Sequence, residues 1–71
     1  MSPEYVSRLR KLEQFFMKGG RIDAAAKKFD VSTRTIIRMM DCLRDEGAVL
    51  TQASKAHWIC SKGIFKDVES K

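Results

Sequence analysis

The sequence is poor in residues that carry chemistry. It holds one histidine, His57, and two cysteines, Cys42 and Cys60. These three are scattered, without the paired spacing of a metal site, so no metal is expected and the thiols read as apolar packing residues. No nucleophile stands beside a base in a recognisable motif, and no acidic metal-binding cluster is present. The glycines of "MKGGR" follow a helix-like segment and lack the phosphate-loop pattern. Neither an enzyme nor a cofactor is expected. No uninterrupted apolar run exceeds four residues, which is too short to cross a bilayer. No signal peptide is visible, and the low thiol count fits a reducing cytoplasm, the expected location. Aromatics make up 8% of the chain, too few for a base-stacking platform of the kind single-stranded RNA binders use. Internal repeats and low-complexity linkers are missing too.

What remains is a short, basic chain. Its 71 residues carry a net charge of +5. That length reads as one small domain over residues 1–66 with a frayed tail at 67–71. A chain so short buries only ~60% of the surface its unfolded form exposes, so a helical core must be used efficiently. The basic balance favours an anionic partner. Its distribution is uneven. Residues 1–22 have five Lys/Arg against two Glu, residues 23–47 five of each sign, and residues 48–71 four Lys against two acids.

Periodicity predicts three helices and a hairpin. "MSPEYVSRLRKLEQFFMKGG" places Tyr5, Leu9, Leu12 and Phe16 on one face, widened by Val6 and Phe15. Ser2 is its expected cap, Pro3 and Glu4 suit its first turn, and Gly19-Gly20 stops it. Arg8, Lys11 and Lys18 occupy the opposite face. "IDAAAKKF" predicts a second helix capped by Asp23 and anchored by Phe29. Asp30 fits a left-handed turn position. Ser32 then caps a third helix from Thr33 to about Glu46, ended by Gly47, with Val31 and Ile36 as a hydrophobic staple. Ile36, Met40 and Leu43 cluster on its inner side with Met39 at the edge; Arg34, Arg38, Asp41 and Asp45 lie opposite. Met17, Met39 and Met40 read as packing residues. "AVLTQ" and "HWICS", separated by "ASKA", predict a two-stranded hairpin, although no Gly, Asn or Asp specifies its turn. Trp58 reads as core. The expected fold is mainly α (α+β): a three-helix helix-turn-helix bundle with a C-terminal two-stranded β-hairpin wing.

The third helix carries the functional signal. Its first turn bears Thr33, Arg34 and Thr35 after Ser32, and Arg38 follows one turn on. A core-packing helix has no use for that set. A helix-turn-helix motif aims the start of its second helix into the DNA major groove. There the helix dipole favours phosphate, hydroxyls bond phosphate or base edges, and arginine pairs with both acceptors of guanine. Asp41, Asp45 and Glu46 fall at the far end, where they oppose their own helix dipole. Arg38 has a competing use, a surface pair with Asp41.

At this point the chain resembles a known superfamily. "AAAKKFDVSTRTIIRMMDCL" is similar to the helix-turn-helix core of bacterial regulators of the Fis-like and LysR-type groups. "GAVLTQASKAHWIC" resembles the wing of DeoR-like and biotin-repressor-like winged helices. It departs from them in having Asp30 where the turn commonly has Gly, a shorter second helix, and a wing without Gly. The resemblance implies that Thr33, Arg34, Ile37 and Arg38 face the groove, and that Ser32 and Thr35 lie near phosphate. It implies wing contacts from Lys55 and His57, with Lys27 and Lys28 as lesser phosphate contacts.

The function these features imply is that of a small transcriptional regulator binding double-stranded DNA. A homodimer fits, with helix 1 or Ile64-Phe65 as the interface, because one module offers little contact area. A small-molecule effector is not expected, since no segment is left for a ligand-binding domain. Two alternatives stand beside it: a winged-helix adaptor that binds protein, and an architectural or recombination accessory DNA binder.

Overall fold

A computed structural model describes residues 3–65. The expected cap Ser2 and the tail 67–71 lie outside the described residues. The elements are α1 (Pro3–Met17), β1 (Gly20–Arg21), α2 (Ile22–Phe29), α3 (Thr33–Asp45), β2 (Val49–Ser54) and β3 (His57–Lys62). The three helices pack with a three-stranded antiparallel sheet of order β1-β3-β2. The two-stranded hairpin expected from the sequence is therefore one strand short. Gly20 and Arg21 pair with Trp58 and His57, making β3 the central strand. Two residues carry no alternation to read, so this strand left no periodic trace in the sequence.

Leu9, Leu12 and Phe16 of α1 form the core with Ala25 and Ala26 of α2, Ile36, Met39, Met40 and Leu43 of α3, and Ala48, Leu50 and Cys60 behind them. The apolar stripes of α1 and α3 fall where the helical spacing predicts. Met39 is fully inside the stripe of α3, while Met17 is 44% exposed and is not a packing residue. Trp58, Ile64 and Phe65 pack against the core while only partly buried.

Glycine ends α1 in two different ways. Gly19 turns left-handed at φ 85, as the helix end requires. Gly20 instead sits against the Phe15 ring, where a Cβ would come within 2.6 Å of Cε2. The next helix begins one residue before its predicted cap. Arg21 holds the N-cap position in extended conformation, without a side-chain cap bond. Asp23 lies inside the first turn, where its Oδ1 accepts from Arg21 Nε at 3.1 Å. Pairing of Arg21 with His57 keeps the chain extended to that point, and the Ile22 amide donates to the Ala56 carbonyl at 2.9 Å. Tertiary hydrogen bonds thus set the start of α2 in place of a local cap.

Both later helices end in the same hydrogen-bond pattern. After α2, Asp30 donates to Lys27 O and Val31 to Ala26 O; after α3, Gly47 donates to Arg44 O and Ala48 to Leu43 O. Each is a Schellman turn, with Asp30 at φ 57 and Gly47 at φ 112 in the left-handed place. The hairpin closes through a side chain. Gln52 Nε2 donates to the Lys55 carbonyl at 2.7 Å, and a register shift falls between Gln52 and Ser54. This clamp, with the Ala56 tie to Ile22, explains how the turn forms without Gly, Asn or Asp.

Candidate nucleic-acid interface

The exposed face at the start of α3 is set by its cap and its stripe. Ser32 is extended (φ −77, ψ 159), and its Oγ accepts from the Thr35 amide at 3.2 Å. The Thr35 hydroxyl lies 3.1 Å from the same oxygen, so both hydroxyls are engaged in the cap. Val31 and the fully buried Ile36 bracket the turn as a staple. With Ile36, Met39, Met40 and Leu43 buried, the helical repeat turns Thr33, Arg34, Ile37 and Arg38 outward, and all four are exposed. Ile37 is 46% exposed between two arginines, an expensive place for an isoleucine with nothing to cover it.

The charges along α3 fall into two groups. Among the described residues, Arg34 and Arg38 form no ion pair. Asp41, a potential partner of Arg38, is taken by Arg44, whose Nη2 lies 2.5 Å from its Oδ1. Arg44 also lies over the Trp58 ring, 5.8 Å from its centroid. Arg38 does act on one neighbour. The Tyr5 phenol titrates above its ordinary value, chiefly through burial and then through Cys42, and Arg38 opposes the rise. Cys42 is half-buried beside Tyr5, so it is a packing residue at the α1–α3 contact.

The remaining predicted residues are spread around this face. Lys27 is exposed on the last turn of α2. Lys28 points to α1, with its Nζ 5.7 Å from the centre of the Phe15 ring. Lys55 is exposed at the hairpin tip, and that tip is fastened to the start of α2 through Ala56. His57 is half-buried near Gly19, where an added Cβ would lie 3.2 Å from its Nε2. The structure brings Ser32, Thr33, Arg34, Thr35, Ile37 and Arg38 onto one helical end; His57 and Lys28 lie against the end of α1 instead.

Two residues escaped the sequence reading. Arg44 carries no mark in the sequence beyond a three-residue spacing from Asp41 that permits a pair. Glu13 looks like a surface residue of an amphipathic helix, yet it is 1% exposed. Its Oε1 accepts from the Ile64 amide at 2.6 Å and from the Phe65 amide at 3.4 Å. The Cys60 thiol titrates above its ordinary value, first because of burial and then because of the Glu13 charge. Among the described residues, no group of His, Cys, Asp and Glu could hold a metal ion, and no helix is long and apolar enough to cross a membrane.

The chain matches no known protein family, no curated protein and no solved structure.

Proposed function

We propose that the chain binds double-stranded DNA sequence-specifically, reading the major groove with the first two turns of α3 and regulating transcription. One observation carries the reading. The start of α3 presents two arginines without ion-pair partners among the described residues, around an exposed isoleucine and a threonine. Each fits a base edge: arginine the paired acceptors of guanine, isoleucine the thymine methyl, threonine either a base or a phosphate. The helix N-terminus adds its dipole and free amides for phosphate. The α2–α3 pair, joined by a tight turn and followed by a hairpin, is the arrangement that the winged-helix resemblance implies. Lys27 and Lys55 supply sequence-independent attraction to the backbone.

Fluorescence anisotropy with a mixed-sequence duplex over a salt series tests this. The wild type is expected to bind with a steep salt dependence, and Arg34→Ala/Arg38→Ala to lose most of that binding while remaining folded. Site selection would then define the operator. No binding at low salt would sink the reading and turn attention to a protein partner. Binding that bends the duplex without sequence preference would indicate an architectural protein.

A further inference from the structure

A second basic surface forms between α1 and α2. The C-terminal half of α1 and the end of α2 flank an open groove of about 700 Å³. Phe15 and Phe29 form its floor, with ring centroids 6.2 Å apart in an edge-to-face arrangement. Met17, 44% exposed, extends the apolar surface. Lys11, Lys18 and Lys28 rim it, and among the described residues no carboxylate lines it.

The charge of this rim follows from where the helices turn their acids. Lys11 and Phe15 are four residues apart on one face of α1, and Lys18 follows in the turn just after the helix. Glu13, on the same helix, is turned inward to the Ile64 and Phe65 amides and cannot neutralise them. The floor stays partly uncovered, with Lys28 standing over the Phe15 ring. Such a cation over an aromatic face can swing to a carboxylate and leave the ring for an incoming apolar side chain.

We propose that this groove docks an acidic segment of a partner protein, which lays an apolar or aromatic side chain on the floor formed by Phe15 and Phe29 while its carboxylates meet Lys11, Lys18 and Lys28. Charge complementarity and the apolar floor together choose this occupant. A DNA backbone would use the lysines but gains little from two phenylalanines and a methionine. A small ligand would gain more from an enclosed cavity than from an open trough. The site gives a DNA-bound protein a separate handle for a second protein, and it stands whether or not α3 binds DNA.

The test is an NMR titration of the full ¹⁵N-labelled chain with a short synthetic peptide carrying a central Leu-Phe pair flanked by glutamates. Shifts are expected at Phe15, Lys18, Gly19 and Phe29, with binding that weakens as salt is raised. Lys11→Glu/Lys18→Glu replaces exposed residues, keeps the fold, and is expected to weaken binding by about tenfold or more. Replacing the central pair of the peptide by alanines is expected to abolish it. The proposal is overturned if no groove amide shifts, or if a lysine-flanked peptide binds equally well. It is also overturned if duplex DNA shifts the same amides and displaces the peptide, which makes the lysines phosphate contacts. Shifts of these amides with protein concentration alone would overturn it in favour of a second copy of the chain.

Discussion

The two ends of α3 use arginine in opposite ways. At the C-terminal end Arg44 is held twice, by Asp41 and by the Trp58 ring, and so links the helix to β3. At the N-terminal end Arg34 and Arg38 are exposed without an ion pair among the described residues, Asp41 being held by Arg44. Three arginines within one helix thus divide between one held in place by its neighbours and two left facing outward. Charge and residue type alone would treat them alike; the neighbours separate them.

This contrast can be broken by exchanging the roles. The largest effect is expected from Arg34→Ala/Arg38→Ala, which should lower DNA affinity by about 100-fold, at ~1–3 kcal/mol for each bidentate arginine. The same variant should unfold within ~0.5 kcal/mol of wild type, because both positions are exposed. Ser32→Ala removes the acceptor of the Thr35 amide and should cost ~1 kcal/mol in urea unfolding. Arg44→Ala is the mirror experiment. It should also cost about 1 kcal/mol, from a stacked cation and an exposed ion pair together, while leaving DNA affinity nearly unchanged. If Arg44→Ala weakened binding as much as the double variant, the division along α3 would be wrong. Asp30→Gly sharpens the comparison from the other side: it relieves a left-handed non-glycine residue at φ 57 and should stabilise by up to ~1 kcal/mol. The smallest effect concerns acid. Hydrogen bonding from Arg21 holds the Asp23 carboxyl below its ordinary value. Its contribution is therefore present above the unfolded-state value and is lost as pH falls through the lower folded one. Melting temperatures of Asp23→Asn and wild type should differ slightly near neutrality and converge in acid.

Much of this architecture was legible in the sequence, and the exceptions have a common cause. Helical spacing placed Leu9, Leu12, Phe16, Ile36, Met40 and Leu43 inside, and Ser32, Asp30 and Gly47 marked their turns, because caps and amphipathic stripes are local chemistry. The features that escaped are bonds between distant segments. Gly20-Arg21 becomes a strand only because β3 lies beside it. Asp23 loses the cap position because Arg21 is already paired and Ile22 donates to Ala56. Glu13 is buried because two amides some fifty residues away need an acceptor. At the candidate interface, Thr33, Arg34, Ile37 and Arg38 could be placed on an outer face by counting residues. That Asp41 pairs with Arg44 and not with Arg38 could not be settled by counting, because both arginines lie three residues from it.

The Glu13 bonds to Ile64 and Phe65 have a consequence for how the chain is made. Gly63 fits there only because it lacks a Cβ, which would come within 2.5 Å of the carboxylate. A ribosome completes α1, α2 and α3 well before it reaches that segment. Until residues 63–65 leave the exit tunnel, the carboxylate of Glu13 lacks these donors. Helix α3 is thus synthesised before the segment that satisfies Glu13, and the packing around that carboxylate is completed only once residues 63–65 are in place.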